Sequence, residues 1–376
     1  MRPRLLYLVT EDWYFVSHRM KLAEAALKTG YDVTVATNIA KHAEVIRAAG
    51  FDLVQIDFDR SGLNPASDAK TFRQILKLYR QIRPNLVHQI ALKPVLYGSL
   101  AARFAGVPGV VNALMGLGYV FSSDSLRARA LRPVVASAIR QATTGNNRCV
   151  IVQNPDDAAL LVEQKLTAAR NLRLILGSGV DLVEFPARPL PNGRPRVVLP
   201  ARLLRDKGVL EFVEAARILK RQGVDAEFVL AGAPDPINPG SFSQTDVEGW
   251  TAEGVVTSLG WSTDMSKVFA DATIVCLPSY REGLPKALLE AAATSRPIVA
   301  TDVPGCREIV LHNQNGILVP ARDSHALAEA LKTLIRSRDL CEQFGRVGRR
   351  LVEDKFSIGH VIRATLQVYD EMLQRA

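Results

Sequence analysis

Two glutamates eight positions apart, Glu282 and Glu290, lie in the segment of the sequence that is richest in polar chemistry. A β-rich run precedes them, and Pro285 suits the first turn of a helix that continues to about Thr294. The backbone amides of Gly283 and Leu284 are therefore predicted near a helix amino terminus, where free N–H groups and the helix dipole favour a phosphate. Eight residues span about 12 Å along a helix axis, so the two carboxylates could contact different parts of one extended ligand.

The same segment also has a purely structural interpretation. Glu282 can cap the helix that follows, and Glu290 can pair with Lys286 one helical turn before it. The spacing alone leaves both interpretations open.

Two cations, Arg202 and Lys207, follow another β-rich run, Val197–Leu199, and precede a helical pattern that begins near Gly208. At the carboxyl end of a strand they would suit a diphosphate, because arginine offers a planar fork of donors and lysine a point charge. A solvated basic turn is the alternative interpretation.

The sequence LGSGVD at Leu176–Asp181 predicts a tight turn after a β-rich run. Gly179 and Val180 lie in this turn, whose exposed backbone could receive a flat base or a phosphate. A turn without a ligand is the alternative.

Two histidines, His18 and His88, follow predicted strands of the first half of the chain. Each could contact a bound substrate, and each could equally be a hydrogen-bonded structural histidine. The six histidines show no HxxxH or HxH spacing, and the DxD formed by Asp57 and Asp59 closes a predicted strand far from the other motifs. We therefore predict no metal site.

Short β-rich runs alternate with amphipathic helical patterns along the 376 residues, which predicts an α/β protein of βαβ units and parallel, doubly wound sheets. At about 150 residues per domain, this length indicates two domains. Residues 186–195 read PARPLPNGRP and are predicted to be a linker. Two Rossmann-like domains, 1–185 and 196–357, would then enclose a ligand cleft, and a helix over 358–376 would pack back onto the first domain.

The 47 Lys and Arg outnumber the 38 Asp and Glu, and the net charge of +9 indicates an anionic partner. Basic residues recur beside apolar stripes on two predicted helices, at Lys70, Arg73, Lys77 and Arg80 and at Arg129, Arg132 and Arg140. Such helices suit an anionic membrane surface, and a solvated face is the competing interpretation. Nucleic acid is not an expected partner, because no nucleic-acid-binding module is visible.

The cysteine pattern and the apolar runs bear on the compartment. The four cysteines form no CxxC pair, which fits a reducing environment. The apolar run Leu5–Val9 is too short for a signal peptide, and no run approaches the roughly 20 apolar residues of a membrane span. A cytoplasmic protein with only peripheral membrane contact is predicted.

In combination, these motifs resemble those of the retaining GT4 glycosyltransferases of GT-B fold. The E-x7-E element from Glu282 to Glu290, preceded by PSYR and followed by AAATSRPIVATDVPGCREIV and NGILVP, carries the resemblance, which covers nearly the whole chain. ARLLRDKG and GSGVD stand where the family has its diphosphate-binding and nucleotide-loop elements. The segments EDWYFVSHR, LKP and GLGYVF resemble the branch that acts on undecaprenyl-diphosphate-linked sugars in bacterial glycan assembly.

The resemblance implies roles for the donor-side residues. Glu282 would bind the hydroxyls of the donor sugar, and Glu290 those of the ribose. Arg202 and Lys207 would neutralise the departing diphosphate. The backbone of Gly283 and Leu284 would approach the diphosphate and the sugar, and the nucleotide loop would include Gly179 and Val180.

The resemblance implies that Lys93, Gly116 and Tyr119 contact the acceptor, in addition to His18 and His88. The first loop, Thr10–Arg19, lacks the glycines that many relatives have there, and a bulky acceptor-facing loop is expected instead. The expected substrates are a nucleotide sugar, foremost a UDP sugar, and a polyprenyl-diphosphate-linked saccharide. The expected location is the cytoplasmic face of the inner membrane, where the protein would be peripheral.

The family's reaction is drawn as front-face attack in which the leaving phosphate accepts the acceptor's proton, so no metal or other cofactor is expected. Three alternatives stay open at this point. They are a nucleotide-sugar epimerase, a non-catalytic sensor of nucleotide sugars, and a glycosyltransferase that acts on a soluble acceptor.

Overall fold

The computed structural model describes residues 2–59, 64–115 and 126–375, except for the side chains of 126–131. The chain folds into two compact units. The first unit comprises Met1–Ser178 together with Gly359–Ala376, and the second comprises Gly179–Ile358. Each unit is built around its own parallel sheet, as the alternation of β-rich runs and helical patterns predicts.

The sheet of the first unit has seven strands within the described residues, in the order β3-β2-β1-β4-β5-β6-β7, and all neighbours run parallel. The strands are β1 Arg4–Glu11, β2 Asp32–Asn38, β3 Asp52–Gln55, β4 Leu86–Ile90, β5 Gly109–Leu114, β6 Arg148–Val152 and β7 Leu172–Leu174. Every residue of β4, β5 and β6 is buried, as expected for parallel strands covered on both faces.

Helices cover both faces of this sheet. They are α1 Asp12–His18, α2 Met20–Lys28, α3 Ala43–Ala48, α4 Pro65–Ile82, α5 Leu92–Ala105, α6 Leu126–Thr143, α7 Pro155–Glu163 and the last helix, α14 Ile358–Gln374. The apolar side of α14, with Val361, Val368, Tyr369 and Met372, packs into the same core as β1 and β4.

The sheet of the second unit has six parallel strands within the described residues, in the order β10-β9-β8-β11-β12-β13. They are β8 Arg196–Leu199, β9 Glu227–Leu230, β10 Thr257–Ser258, β11 Ile274–Leu277, β12 Ile298–Thr301 and β13 Gly316–Val319. The helices are α8 Val209–Arg221, α9 Gln244–Ala252, α10 Met265–Ala270, α11 Lys286–Ala293, α12 Ser324–Ile335 and α13 Arg338–Lys355.

The proline-rich segment 186–195 lies within the second unit and does not separate the two units. Arg296, which is fully buried, donates hydrogen bonds to the carbonyls of Arg188 and Pro189. Arg338 donates to the carbonyls of Leu190 and Pro191. Proline has no backbone N–H, so this segment cannot pair as a regular strand, and two arginines donate to its carbonyls instead.

In each sheet the strand order reverses once, between β1 and β4 in the first unit and between β8 and β11 in the second. In doubly wound folds, ligands bind outside the carboxyl ends of the strands at such a switch point. The loops after β8 and β11 are therefore the first place to look for a site. Within the described part of the chain, no helix is long and apolar enough to cross a membrane.

Candidate functional site

The switch point of the second unit brings together Lys207 and Glu282, which are distant in the sequence. The Lys207 ammonium donates to the Glu282 carboxylate at 2.6 Å, and both side chains are mostly buried, with 21% and 11% exposed. Glu282 therefore does not cap the following helix. That helix begins at Lys286 with Pro285 as the capping position, so Gly283 and Leu284 lie just before its first turn and not within it.

Close backbone packing holds the loops after β8 and β11 against each other. A Cβ at Gly208, which is left-handed at φ +70°, would lie 2.1 Å from the Pro278 carbonyl oxygen, so only glycine fits there. The amide of Tyr280 donates to the Asp206 carbonyl at 2.8 Å. As predicted, the second helix of this site begins just after Gly208.

Arg202 lies in the same loop, 2.8 Å from the Asp235 carboxylate. Asp235 follows β9, and its amide donates to the Ser241 hydroxyl oxygen at 2.8 Å. The guanidinium is 36% exposed, so it is partnered and still accessible to solvent. The sequence motifs did not single out Asp235, because a lone aspartate in a loop carries no spacing signal.

Glu290 lies on α11, 2.9 Å from Lys286, as the structural interpretation of this pair predicts. Only 6% of Glu290 is exposed. Burial raises the pKa of its carboxyl above the ordinary value, the Lys286 ammonium opposes this in part, and nearby Glu184 adds to it. A buried carboxylate with one cation partner can still accept from hydroxyl groups of a ligand.

Gly305 was also missed by the motifs. It follows β12 with φ +84°, and a Cβ there would lie 2.5 Å from the Gly283 carbonyl oxygen. Gly305 thus lets the loop after β12 pack directly on the backbone of Glu282 and Gly283. The glycine in VPG after a buried strand is the signal that could have indicated this contact.

The turn at Gly179 and Val180 is more constrained than predicted. Gly179 has φ +72°, as a tight turn requires. The Val180 amide already donates to the Phe356 carbonyl at 3.0 Å, and the residue is 1% exposed. Gly179 is buried as well, so neither of these two residues presents the exposed backbone that the motif indicates.

In the first unit, the segment after β1 is a short helix, α1, and not the bulky loop that was expected. Buried Asp12 accepts from the amides of Ala40 and His42 at 2.7 and 2.9 Å and so holds the start of α1 in place. His18 ends this helix and stacks on Tyr14, with ring centroids 4.2 Å apart.

His88 lies inside β4 and is 1% exposed, which corrects its expected position after the strand. Its Nδ1 lies 2.6 Å from the Tyr369 hydroxyl, which is 2.9 Å from the Tyr7 hydroxyl. Burial, with the Arg19 cation nearby, holds the pKa of His88 well below its usual range. This geometry fits a neutral structural histidine that ties α14 to the sheet.

Lys93 lies at the start of α5, at the switch point of the first sheet. Its ammonium donates to the Asp59 carbonyl at 2.7 Å and pairs with Asp68 at 3.2 Å. The preceding Ala91, which lies two positions before Lys93, has φ +79° and ψ 166°. Residues other than glycine rarely adopt this backbone conformation, and such residues cluster at functional sites. The other two acceptor-side candidates, Gly116 and Tyr119, lie outside the described residues.

The basic face predicted on α4 is present, with Lys70, Arg73, Lys77 and Arg80 exposed. Lys70 is 2.8 Å from Asp57, and this contact, with amides of Gln55 and Gln74, lowers the pKa of Asp57 to about 2. On α6, Arg140 donates to the Lys165 carbonyl at 2.8 Å, and the side chain of Arg129 lies outside the described residues.

An exposed aromatic residue lies beside the basic face of α4. Phe104 of α5 is 62% exposed, and its ring packs edge-on against Phe72 of α4 with centroids 6.3 Å apart. Among the described residues, no group of three or more His, Cys, Asp or Glu is placed to hold a metal ion.

Two family models match the chain. The model for glycosyl transferases group 1 matches residues 194–337, and the model for glycosyl transferase 4-like proteins matches residues 4–154. The chain belongs to the GT4-like glycosyltransferases. Membership removes one of the three alternatives left open by the sequence, the epimerase, because the family transfers sugars.

The relatives and a solved structure agree with this family. This chain is 27% identical over 333 residues, 86% of each chain, to the N,N'-diacetylbacillosaminyl-diphospho-undecaprenol α-1,3-N-acetylgalactosaminyltransferase of Campylobacter jejuni. It is 26% identical over 278 residues, 70% of each chain, to the UDP-Gal:α-D-GlcNAc-diphosphoundecaprenol α-1,3-galactosyltransferase of Escherichia coli. Sucrose-phosphate synthase from Thermosynechococcus elongatus superposes with a TM-score of 0.82 at 20% identity over the whole of both chains, which supports the GT-B fold.

Proposed function

We propose that this glycosyltransferase moves a sugar, with retention, from a UDP sugar to a polyprenyl-diphosphate-linked saccharide in bacterial surface glycan or glycoprotein glycan assembly. The observation that carries the proposal is the Lys207–Glu282 pair at the switch point of the second unit, 2.6 Å long and largely buried. The acceptor class is supported by the names of both relatives, each of which specifies a diphosphoundecaprenol-linked sugar.

The donor diphosphate would bind by exchanging ion-pair partners. Lys207 and Arg202 are each neutralised by a carboxylate in the structure, and a diphosphate can take the place of those carboxylates. Once Lys207 turns to the diphosphate, the Glu282 carboxylate can accept hydroxyls of the donor sugar. Glu290 would accept the ribose hydroxyls in the same way.

In the chemical step, the bond between the anomeric carbon and the diphosphate oxygen breaks. The acceptor hydroxyl oxygen forms a new bond to that carbon on the same face, and its proton passes to the departing phosphate oxygen. Negative charge grows on the phosphate as this happens, and fixed cations at that position stabilise it most. Arg202 and Lys207 can supply this stabilisation without a divalent metal.

We further propose that the first unit binds the acceptor and approaches the cytoplasmic face of the inner membrane. The exposed cations of α4, next to the exposed Phe104 ring, offer positive charge beside an apolar surface. Basic residues near an anionic leaflet contribute about 1 kcal/mol each. The attachment would be peripheral and sensitive to salt.

The test incubates the purified protein with a panel of nucleotide sugars and with undecaprenyl-diphosphate-linked or soluble saccharides, and reads products by mass spectrometry. We expect one added sugar on a lipid-linked acceptor, with the anomeric configuration of the donor by NMR, and equal rates with and without EDTA. Transfer to soluble saccharides alone would favour the alternative acceptor. An inverted product would contradict retention, and activity restored only by Mg²⁺ or Mn²⁺ would contradict metal independence.

A further inference from the structure

A polar cavity of about 520 Å³ lies in the first unit, at the end of the sheet that is opposite to His18 and Lys93. It opens at the amino-terminal ends of β5 and β6, between the end of α5 and the loop that follows α6. Three arginines line it, Arg103, Arg148 and Arg375, and none of the described residues that line it is acidic.

Arg148 is the unusual residue of this cavity. It is the first residue of β6 and only 7% exposed, yet its side chain makes no hydrogen bond or ion pair with any residue that the structure describes. Its buried Nη1 lacks a partner. Buried guanidinium groups are normally paired, because an unpaired charge out of water is strongly unfavourable.

The neighbouring charges do not compensate Arg148. Arg103 is exposed, has no ion pair among the described residues, and faces Arg148 closely enough that the two cations repel. Burial and this repulsion together lower the pKa of Arg148. Arg375, 3.8 Å from Glu371, adds a third cation.

The lining of the cavity is held in place before any ligand binds. The Asn147 side-chain amide donates to the Pro108 carbonyl at 2.7 Å, and the Asn171 amide donates to the Gly145 carbonyl at 3.0 Å. The Val110 amide donates to the Asn147 carbonyl at 3.1 Å. These bonds fix the loop that precedes Arg148 relative to β5.

We propose that this cavity is a second, non-catalytic binding site of the glycosyltransferase, and that its ligand is a phosphate or diphosphate group. Arginine forks match the oxygens of such a group in bidentate fashion, and one dianion would neutralise both Arg103 and Arg148. The neutral side chains of Gln141 and Asn146, which also line the cavity, can add hydrogen bonds without adding charge. The group could belong to a free metabolite or to a lipid headgroup.

The experiment titrates inorganic pyrophosphate into the full-length protein by calorimetry, with ionic strength held constant by NaCl. An Arg202→Ala/Lys207→Ala background removes phosphate binding at the donor site. Arg103→Ala and Arg148→Met are then added separately. Arg47→Ala is the matched control, because Arg47 is an exposed arginine of α3 at the far edge of the same sheet.

We expect the background to keep one saturable pyrophosphate site. Arg103→Ala should weaken it at least tenfold, Arg148→Met should abolish it, and Arg47→Ala should leave it unchanged. Arg148→Met should also melt at the same or a higher temperature, since an unpaired buried charge is replaced by an apolar side chain. If Arg148→Met disturbs folding, Arg103→Ala still decides, because Arg103 is exposed.

A second arm uses vesicles of phosphatidylglycerol or phosphatidylcholine. Binding that depends on Arg103, occurs only with phosphatidylglycerol and is not reproduced by pyrophosphate identifies a headgroup phosphate, whereas binding of pyrophosphate identifies a free phosphorylated ligand. The proposal is overturned if neither probe binds in an Arg103-dependent way, or if Arg47→Ala weakens binding as much as Arg103→Ala.

Discussion

The cations at the switch point of the second unit and those of the polar cavity in the first unit differ in whether they have carboxylate partners. In the second unit, Lys207, Arg202 and Lys286 each lie within 2.9 Å of a carboxylate oxygen. In the first unit, Arg148 and Arg103 have no such partner among the described residues, although Arg148 is almost fully buried.

This difference separates two ways of preparing a site for an anion. A cation paired with a carboxylate is stable without ligand. An anionic ligand must displace that carboxylate to bind the cation, and the displaced carboxylate is then free for a second role. An unpaired buried cation makes the empty site unfavourable, and the anion relieves that state directly. Only the first arrangement would free a carboxylate, here that of Glu282, for the catalytic role that we propose.

The largest effect is expected from removal of the Glu282 carboxylate. Glu282→Ala should lower kcat by about a hundredfold or more, because a charged hydrogen bond that acts in the transition state of a closed site contributes several kcal/mol. Transfer assays by mass spectrometry measure it, and circular dichroism checks the fold. Glu342→Ala, which removes an exposed glutamate 3.1 Å from Arg338, is the matched control and should keep full activity. Wild-type turnover in Glu282→Ala would remove Glu282 from the mechanism.

The second effect concerns a row of exposed cations on the surface of α4. Replacing Lys70, Arg73, Lys77 and Arg80 by alanine should remove most of the binding to phosphatidylglycerol vesicles at low salt, since each charge near the surface contributes about 1 kcal/mol. High salt should release the wild type as well. Flotation of both proteins measures the bound fraction.

The control for that variant removes the same number of charges from the second unit. Arg336, Arg346, Arg350 and Lys355 are exposed residues in and beside α13. The variant with these four residues changed to alanine should float like the wild type. Equal losses in both variants would mean that net charge, and not the α4 face, governs attachment.

A smaller effect is expected from the paired cations themselves. Lys207→Ala and Arg202→Ala should each weaken UDP binding by about tenfold, the loss of one charge-assisted contact to phosphate. Arg202→Lys should restore only part of the affinity, because lysine lacks the planar fork. Calorimetry measures this, with Arg194→Ala as a control that removes a surface arginine paired with Asp225 at 2.7 Å. Unchanged affinity in both alanine variants would refute the diphosphate contact.

Much of the second unit could be predicted because its chemistry is local in sequence. The apolar runs at Val197–Leu199 and Ile274–Leu277 are short and continuous, as buried parallel strands require, and the polar residues follow them directly. What could not be predicted is which residues meet across loops. The contacts of Lys207 with Glu282 and of Arg202 with Asp235 depend on strand order, which periodicity does not encode.

The first unit shows the same limit more strongly. His88 looked like a strand end because β4 continues two residues further than its apolar run suggested. The segment after β1 looked like a loop because no pattern revealed that buried Asp12 would receive two amides from the loop after β2. The polar cavity around Arg148 had no motif, since its lining comes from separate segments.

The smallest expected effect concerns Glu290, where cation pairing and burial oppose each other. Burial raises the pKa of this carboxyl, so the folded protein holds the proton more tightly than the unfolded chain does. The favourable contribution of Glu290 to the free energy of unfolding is therefore complete below the unfolded pKa, about 4.3, and is lost as the pH rises through the folded pKa. Glu290→Gln lacks this dependence. Denaturation of both proteins by urea between pH 4 and pH 7 should show the wild type losing stability relative to the variant as the pH rises.

Bound UDP, whose ribose hydroxyls donate to the ionised carboxylate, should lower the pKa of Glu290 and so release a proton that the variant does not release. Calorimetry in buffers of different ionisation enthalpy measures that release. Proton release that is equal in both proteins would show that Glu290 does not contact the nucleotide and that its pairing with Lys286 serves the helix alone.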